Sequence, residues 1–176
     1  MEHQSIRKFS VDEFNNLIKK DNIKYELIDN ILFMSPRPNY KHQEIMGNLY
    51  LEIGNYLKVK PCKVFTEAEL QLDDNVIIPD ISVICGLEST NFQRYKEAPA
   101  LIIEILSDSS RYTDGFTKLN KYEMFGVKEY WIVSPKTEII TIYNFENKTN
   151  VEFIKSEILK SSIFSDLEID LINIFL

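Results

Sequence analysis

Two acids stand out by residue type and setting. Asp80 follows Pro79 at the head of the apolar run ISVIC, and Glu104 lies inside ALIIEIL. The second run is aliphatic on both parities, as in a strand covered on both faces. Glu104 shares its face with Ile102 and Leu106. A carboxylate placed there costs several kcal/mol unless a cation or hydrogen-bond donors accompany it. The alternative is an edge strand with Glu104 in water. Pro79 cannot donate a ladder hydrogen bond, so it marks a strand start or an edge. Asp80 then shares a face with Ser82 and Ile84. Two carboxylates converging from neighbouring strands suit a hard divalent cation, Mg²⁺ with Mn²⁺ as its substitute, which takes oxygen ligands and keeps several waters.

A basic partner is at hand. The segment TDGFTKLNKYEMFG predicts a helix, with Thr113 or Asp114 as its cap and Gly126 as its stop. Leu119, Tyr122 and Phe125 form an apolar stripe, with Lys118 on it and Lys121 at its edge. Lys118 either snorkels to water or reaches the acids, where an ammonium can orient an attacking water and offset phosphate charge. VKEYWIVSP then reads as a further strand, with Tyr130 and Trp131 packed on sheet and helix.

These segments together carry a resemblance. PD at 79–80, the acid of IEILS at 104, the lysine of TKLNKY, GVKEYWIV, the early YELID and HQEIMGNL resemble the Uma-two family of putative restriction endonucleases, within the PD-(D/E)xK nuclease superfamily. The resemblance covers nearly the whole chain. It implies an α+β (α/β) fold with a restriction-endonuclease-like core. That core is a helix, a three-stranded meander, a second helix and a further strand, giving a mixed β-sheet flanked by helices, with an N-terminal helix and hairpin in addition. It also implies metal-dependent phosphodiester cleavage. Asp80 and Glu104 become metal ligands, with the Ile105 carbonyl as a further one. In the superfamily the lysine usually stands two residues after the second acid; Leu106 occupies that place, and Lys118 on the following helix supplies the amine. Glu26 and His42 also match family positions. Asn30 stands where the family often has glycine, and Ser134 where it often has aspartate.

Composition bounds the reading. A chain of 176 residues, 44% hydrophobic and 12% aromatic, fits one nuclease-like domain over 1–176 and argues against disorder. No run approaches the ~20 apolar residues of a membrane helix. The start MEHQSIRKFSVDEF has no apolar signal core, so a cytoplasmic protein is expected. Cys62 and Cys85 are read as reduced and structural rather than as a disulfide. A net charge of −7 counts against strong nonspecific DNA binding, although a local basic patch remains compatible with nucleic acid, DNA first, as partner.

The remaining segments serve as scaffold. Ser10 and Glu13 form a capping-box pattern before a helix running to about Lys20. KYELIDNILFMSP is a hairpin turning at Asp29-Asn30, and its Glu26 is either solvent-facing or an accessory acid. Arg37, Lys41 and His42 lie in a Pro-broken loop suited to a phosphate or simply exposed. Ile45, Leu49, Ile53 and Leu57 repeat every four residues along the longest helix. KVFTEAELQLDDN reads as one strand and VIIPDISVIC as another. Arg94 and Lys96, in the linker between the acid strands, are candidate backbone contacts. The apolar tail from Phe164 to Leu176 offers an exposed surface for a homodimer.

Three functions compete: a metal-dependent endonuclease, a nuclease-fold module that binds without cutting, and a Cys or Ser hydrolase. The last is weakest, because only His3 and His42 exist to act as base.

Overall fold

The computed structural model describes residues 7–107 and 112–176, the backbone alone for 112–117. In chain order the elements are α1 (Val11–Asn15), β1 (Ile23–Ile28), β2 (Ile31–Pro36), α2 (Tyr40–Leu57), β3 (Cys62–Thr66), β4 (Leu70–Leu72), β5 (Asn75–Ile77) and β6 (Ile81–Cys85). Then come β7 (Leu101–Ile105), α3 (Tyr112–Met124), β8 (Glu129–Ser134), β9 (Ile139–Asn144), β10 (Thr149–Ile154), β11 (Ile158–Lys160), β12 (Glu168–Asp170) and a 3₁₀ turn at Leu171–Asn173. They assemble into two compact units.

The first unit draws on the chain up to Arg37, on Glu69–Ile78 and on Phe92–Glu97. Its sheet has the order β2-β1-β5-β4. The Ser10 hydroxyl accepts from the Glu13 amide at 3.1 Å and the Glu13 carboxylate accepts from the Ser10 amide at 2.8 Å, so two of the N–H groups left open at the start of α1 are met. The helix stops at Asn15, short of the expected Lys20. Beyond it the Leu17 amide turns to the Phe14 carbonyl at 3.3 Å, three residues back, so the α-helical pattern is not continued. Asp29 and Asn30 both have positive φ, 52° and 64°, which is the two-residue hairpin turn their types predict. The Asn30 position needs the left-handed region, which glycine enters freely and Asn tolerates. Phe14, Tyr25, Leu27 and Val76 make this unit's core.

The second unit holds Pro38–Ala68, Pro79–Asn91 and Ala98–Leu176. Its sheet runs β10-β9-β8-β7-β6-β3. β3, β6 and β7 pair antiparallel, and β7 and β8 pair parallel. A parallel pair needs a crossover, and α3 provides it. Helix, meander, second helix and further strand are therefore all present, in a mixed sheet of an α+β fold.

One sheet face carries Ile81, Val83, Leu101, Ile103, Ile105, Trp131, Val133, Ile140 and Ile142. Against it pack Ile45, Leu49, Ile53 and Leu57 of α2, the four-residue repeat read from sequence. Each such side chain contributes about 1.5–3 kcal/mol on full burial. α3 ends as expected at Gly126, φ 87°, where the Val127 amide reaches back to the Tyr122 carbonyl at 3.0 Å. It begins at Tyr112, ahead of the proposed Thr113 or Asp114 cap. Its N-cap position, residues 108–111 and His3 lie outside the described residues.

Several expectations are corrected. KVFTEAELQLDDN is two strands, broken where Glu67 takes a φ of 48°; β3 and β4 enter different sheets. VIIPDISVIC is likewise β5 and β6, because Pro79 between them lacks the N–H a ladder requires. Cys62 and Cys85 are not reduced. They face each other across β3 and β6, Cα to Cα 3.9 Å, joined by a disulfide. Sequence spacing hid that register. The apolar tail is not an exposed dimer surface either, since Leu167, Ile169, Leu171, Ile174 and Phe175 are buried in the core of the second unit. No helix among the described residues is long and apolar enough to cross a membrane.

Candidate active site

The second unit brings His42 and the Ile105 N–H to Asp80, and Lys118 to Glu104, two hydrogen-bonded sets that are adjacent in the chain at Glu104-Ile105. The pairing Ile81↔Ile103 between β6 and β7 sets Asp80 level with Glu104 one step further. Pro79 ends the preceding strand, and the Asp80 carbonyl accepts from the Glu67 amide at 3.1 Å, which fixes its backbone.

Asp80 is 5% exposed. Its Oδ2 accepts from the Ile105 backbone N–H at 2.7 Å and from His42 Nε2 at 3.1 Å. His42 is delivered by α2, whose N-cap Asn39 accepts from the His42 amide at 2.9 Å. A carboxylate offers only acceptors, so His42 donates through Nε2–H. Its Nδ1 is buried with no hydrogen-bond partner among the described residues.

Glu104 sits at the same kind of boundary. Its Oε1 accepts from Lys118 Nζ at 3.0 Å and from the Tyr122 hydroxyl at 2.7 Å. Lys118 does not snorkel; its side chain is 14% exposed and its ammonium meets Glu104. Nor is Glu104 on an edge strand, since β7 is flanked by β6 and β8. Tyr122 was missed by sequence reasoning, which assigned it to the apolar stripe. The available signal was its position four residues after Lys118, on the same helix face.

Other candidates lie elsewhere. Glu26 belongs to the first unit, where it is buried and accepts the Ile78 backbone N–H at 2.9 Å, two residues before Asp80 in the chain. The solvent-facing alternative for it is therefore overturned. Arg94 is a brace inside the same unit, donating to Glu69 and to Asn15 at 2.7 Å each. Lys96 is exposed. Arg37 donates to the Asp21 carbonyl, and Lys41 to Glu44 and to the Leu176 carbonyl. Glu129, fully buried at the start of β8, was also missed. It accepts from Trp131 Nε1 at 2.7 Å, the Ser161 hydroxyl at 2.8 Å, the Ser162 amide at 2.7 Å and the Ser162 hydroxyl. Leu101↔Glu129 and Glu104↔Ile132 put this acid three rungs along the sheet from Glu104, so its role is to tie the C-terminal segment to β8.

The donor set selects the type of metal it suits. Among the described residues, no three His, Cys, Asp or Glu side chains group closely enough to hold a metal by themselves. Zinc takes three or four protein ligands. Mg²⁺ takes one or two carboxylates and completes its shell with water and substrate oxygens. Two carboxylates suit the hard divalent ion.

Comparison with known proteins agrees with this fold. The chain belongs to the Uma2 family, described as putative restriction endonuclease, whose model matches residues 11–171. It is similar to a solved structure from Anabaena variabilis, entitled a putative nuclease belonging to DUF820. The TM-score is 0.84 at 22% identity, over 95% of this chain and 97% of that one. An uncharacterized protein of Synechocystis is 22% identical over 144 residues, 78% of this chain and 74% of that protein.

Proposed function

We propose that this chain is a divalent-metal-dependent endonuclease that hydrolyses phosphodiester bonds in DNA. The observation that carries the reading is the convergence of two buried carboxylates, Asp80 just ahead of β6 and Glu104 on the neighbouring β7, with His42 and the Ile105 N–H donating to the first and Lys118 and Tyr122 to the second. The family match runs through both compact units, which supports reading them as one catalytic domain.

Asp80, Glu104 and the Ile105 carbonyl would hold Mg²⁺, or Mn²⁺ in its place. Such an ion, when bound, polarises a phosphoryl oxygen and lowers the pKa of a water. The chain's own groups do the rest. His42 and the Ile105 N–H fix the Asp80 carboxylate. Lys118 turns from Glu104 toward the substrate, where its ammonium orients the attacking water and offsets charge on the scissile phosphate. Glu26 holds the Ile78 backbone in the segment that leads to Asp80 and acts as a support for the site. Cutting both strands of a duplex takes two such centres, so a homodimer is the expected assembly.

A second reading, a nuclease-fold module that binds without cutting, draws on the net charge of −7 and on Arg94 being engaged within its own unit. The test is calorimetric titration of Mn²⁺ into wild type and the Asp80→Ala/Glu104→Ala double variant, followed by duplex cleavage with and without EDTA. Binding and cleavage that vanish together in the variant support the nuclease. Duplex binding by wild type with no metal-dependent turnover supports the second reading.

A further inference from the structure

We infer that Tyr122 is a positioning residue for Glu104: its hydroxyl is the permanent partner of the carboxylate, and Lys118 is the partner that leaves when substrate arrives. The inference rests on the nuclease reading above and assigns the division of labour between the two donors.

Both donors meet the same atom, Glu104 Oε1, at 3.0 Å for the ammonium and 2.7 Å for the hydroxyl. They stand four residues apart on α3, so one helix face presents both. Their freedom differs. Tyr122 is fully buried, with its ring centroid 5.0 Å from that of Tyr130, which in turn lies 6.3 Å from Tyr143. Taking its hydroxyl off Glu104 would pull an aromatic ring out of a packed layer, at a cost of several kcal/mol. Lys118 is partly exposed. Its four-carbon stem and rotatable ammonium can swing without disturbing the core.

This difference resolves a conflict inside the proposed chemistry. An ammonium that serves the substrate must let go of Glu104, and a carboxylate held by that ammonium alone would then be free to turn. Misplacement of a catalytic group by about 1 Å can cost two orders of magnitude in rate. Because the phenol hydroxyl shares Oε1, the carboxylate keeps its orientation while Lys118 moves.

The test uses Tyr122→Phe, which removes one oxygen and keeps the ring, beside Lys118→Gln. Mn²⁺ binding to each is measured calorimetrically, with thermal unfolding as the control for folding. Tyr122→Phe is expected to bind Mn²⁺ about 10–100-fold more weakly, the usual effect of losing a group that orients a metal ligand, and its cleavage should recover as Mn²⁺ is raised. Lys118→Gln is expected to keep wild-type Mn²⁺ affinity and lose cleavage at every Mn²⁺ concentration. A folded Tyr122→Phe protein with unchanged Mn²⁺ affinity overturns the assignment of Tyr122. A Lys118→Gln protein whose Mn²⁺ affinity falls overturns the exchangeable role of Lys118, whatever Tyr122→Phe does. Wild type that takes no Mn²⁺, with or without a short duplex, overturns the metal reading and this inference with it.

Discussion

The backbone N–H of Ile105 donates to Asp80 Oδ2 at 2.7 Å, so the residue that follows one acid holds the other. The two carboxylates are thus spaced by the β6–β7 ladder and by a hydrogen bond across it. The Asp80 carboxylate therefore serves the fold as well as the site.

Asp80→Ala should therefore do two things. It should abolish metal-dependent cleavage, and it should destabilise the fold by about 1–3 kcal/mol, because a buried backbone donor loses its acceptor. Asp80→Asn, which keeps an oxygen acceptor, should retain more of the stability and none of the cleavage. Chemical denaturation with a parallel cleavage assay checks both. His42→Ala, which removes the other donor to Oδ2, should reduce cleavage about 10–100-fold and leave the Ile105 bond in place.

Glu129 gives the contrasting case of a buried acid outside the site. Four donors surround it: Trp131 Nε1, the Ser161 hydroxyl, and the Ser162 amide and hydroxyl. Glu129→Ala should lower unfolding stability by about 2–4 kcal/mol. Residual folded protein should cleave at the wild-type rate. A loss of cleavage without loss of stability would contradict this structural role.

The Cys62–Cys85 bond closes a sequence separation of 23 residues. Reduction should cost about 2–4 kcal/mol of stability, chiefly by freeing the unfolded chain. Thiol titration of the denatured, unreduced protein should find no free cysteine, since both thiols of the chain are in this bond. Two free thiols would contradict it.

On the surface of the second unit, the Lys60 ammonium at 2.8 Å and the Tyr56 hydroxyl at 2.6 Å hold the Asp166 carboxyl down from 3.8 to about 2. The folded value lies below the unfolded one. This pair's contribution is therefore present above about pH 4 and is lost as pH falls toward 2. NMR titration of the Asp166 carboxyl should place its midpoint near 2, and Lys60→Ala should move it up toward the ordinary carboxylate value.

Much of the fold was legible because local rules and global structure agree. The Ser10–Glu13 box, the Asp29-Asn30 turn, the four-residue repeat of α2 and the Gly126 stop all express backbone preferences of their own residues. Errors fell where one apolar run serves two structures. β3 and β4, or β5 and β6, are continuous in pattern and separate in space, because alternation does not say which sheet a strand will join. The end of α1 was missed for a different reason: the Leu17 amide turns to the carbonyl three residues back, a tightening that periodicity does not register.

The amino-acid sequence by itself determined the chemical inventory. Two acids sit in apolar strands, a lysine lies on the buried side of the next helix, and there is no histidine pair or cysteine pattern for another chemistry. Only the tertiary structure decided which donor meets which oxygen. It joined Tyr122 to Glu104, His42 and the Ile105 backbone to Asp80, and Cys62 to Cys85, and it kept Glu26 with Ile78 and Arg94 with Glu69. The physical reason is that a strand's or helix's period fixes the direction of a side chain. Its partner is fixed by sheet order and register, which arise from packing between segments far apart in the chain.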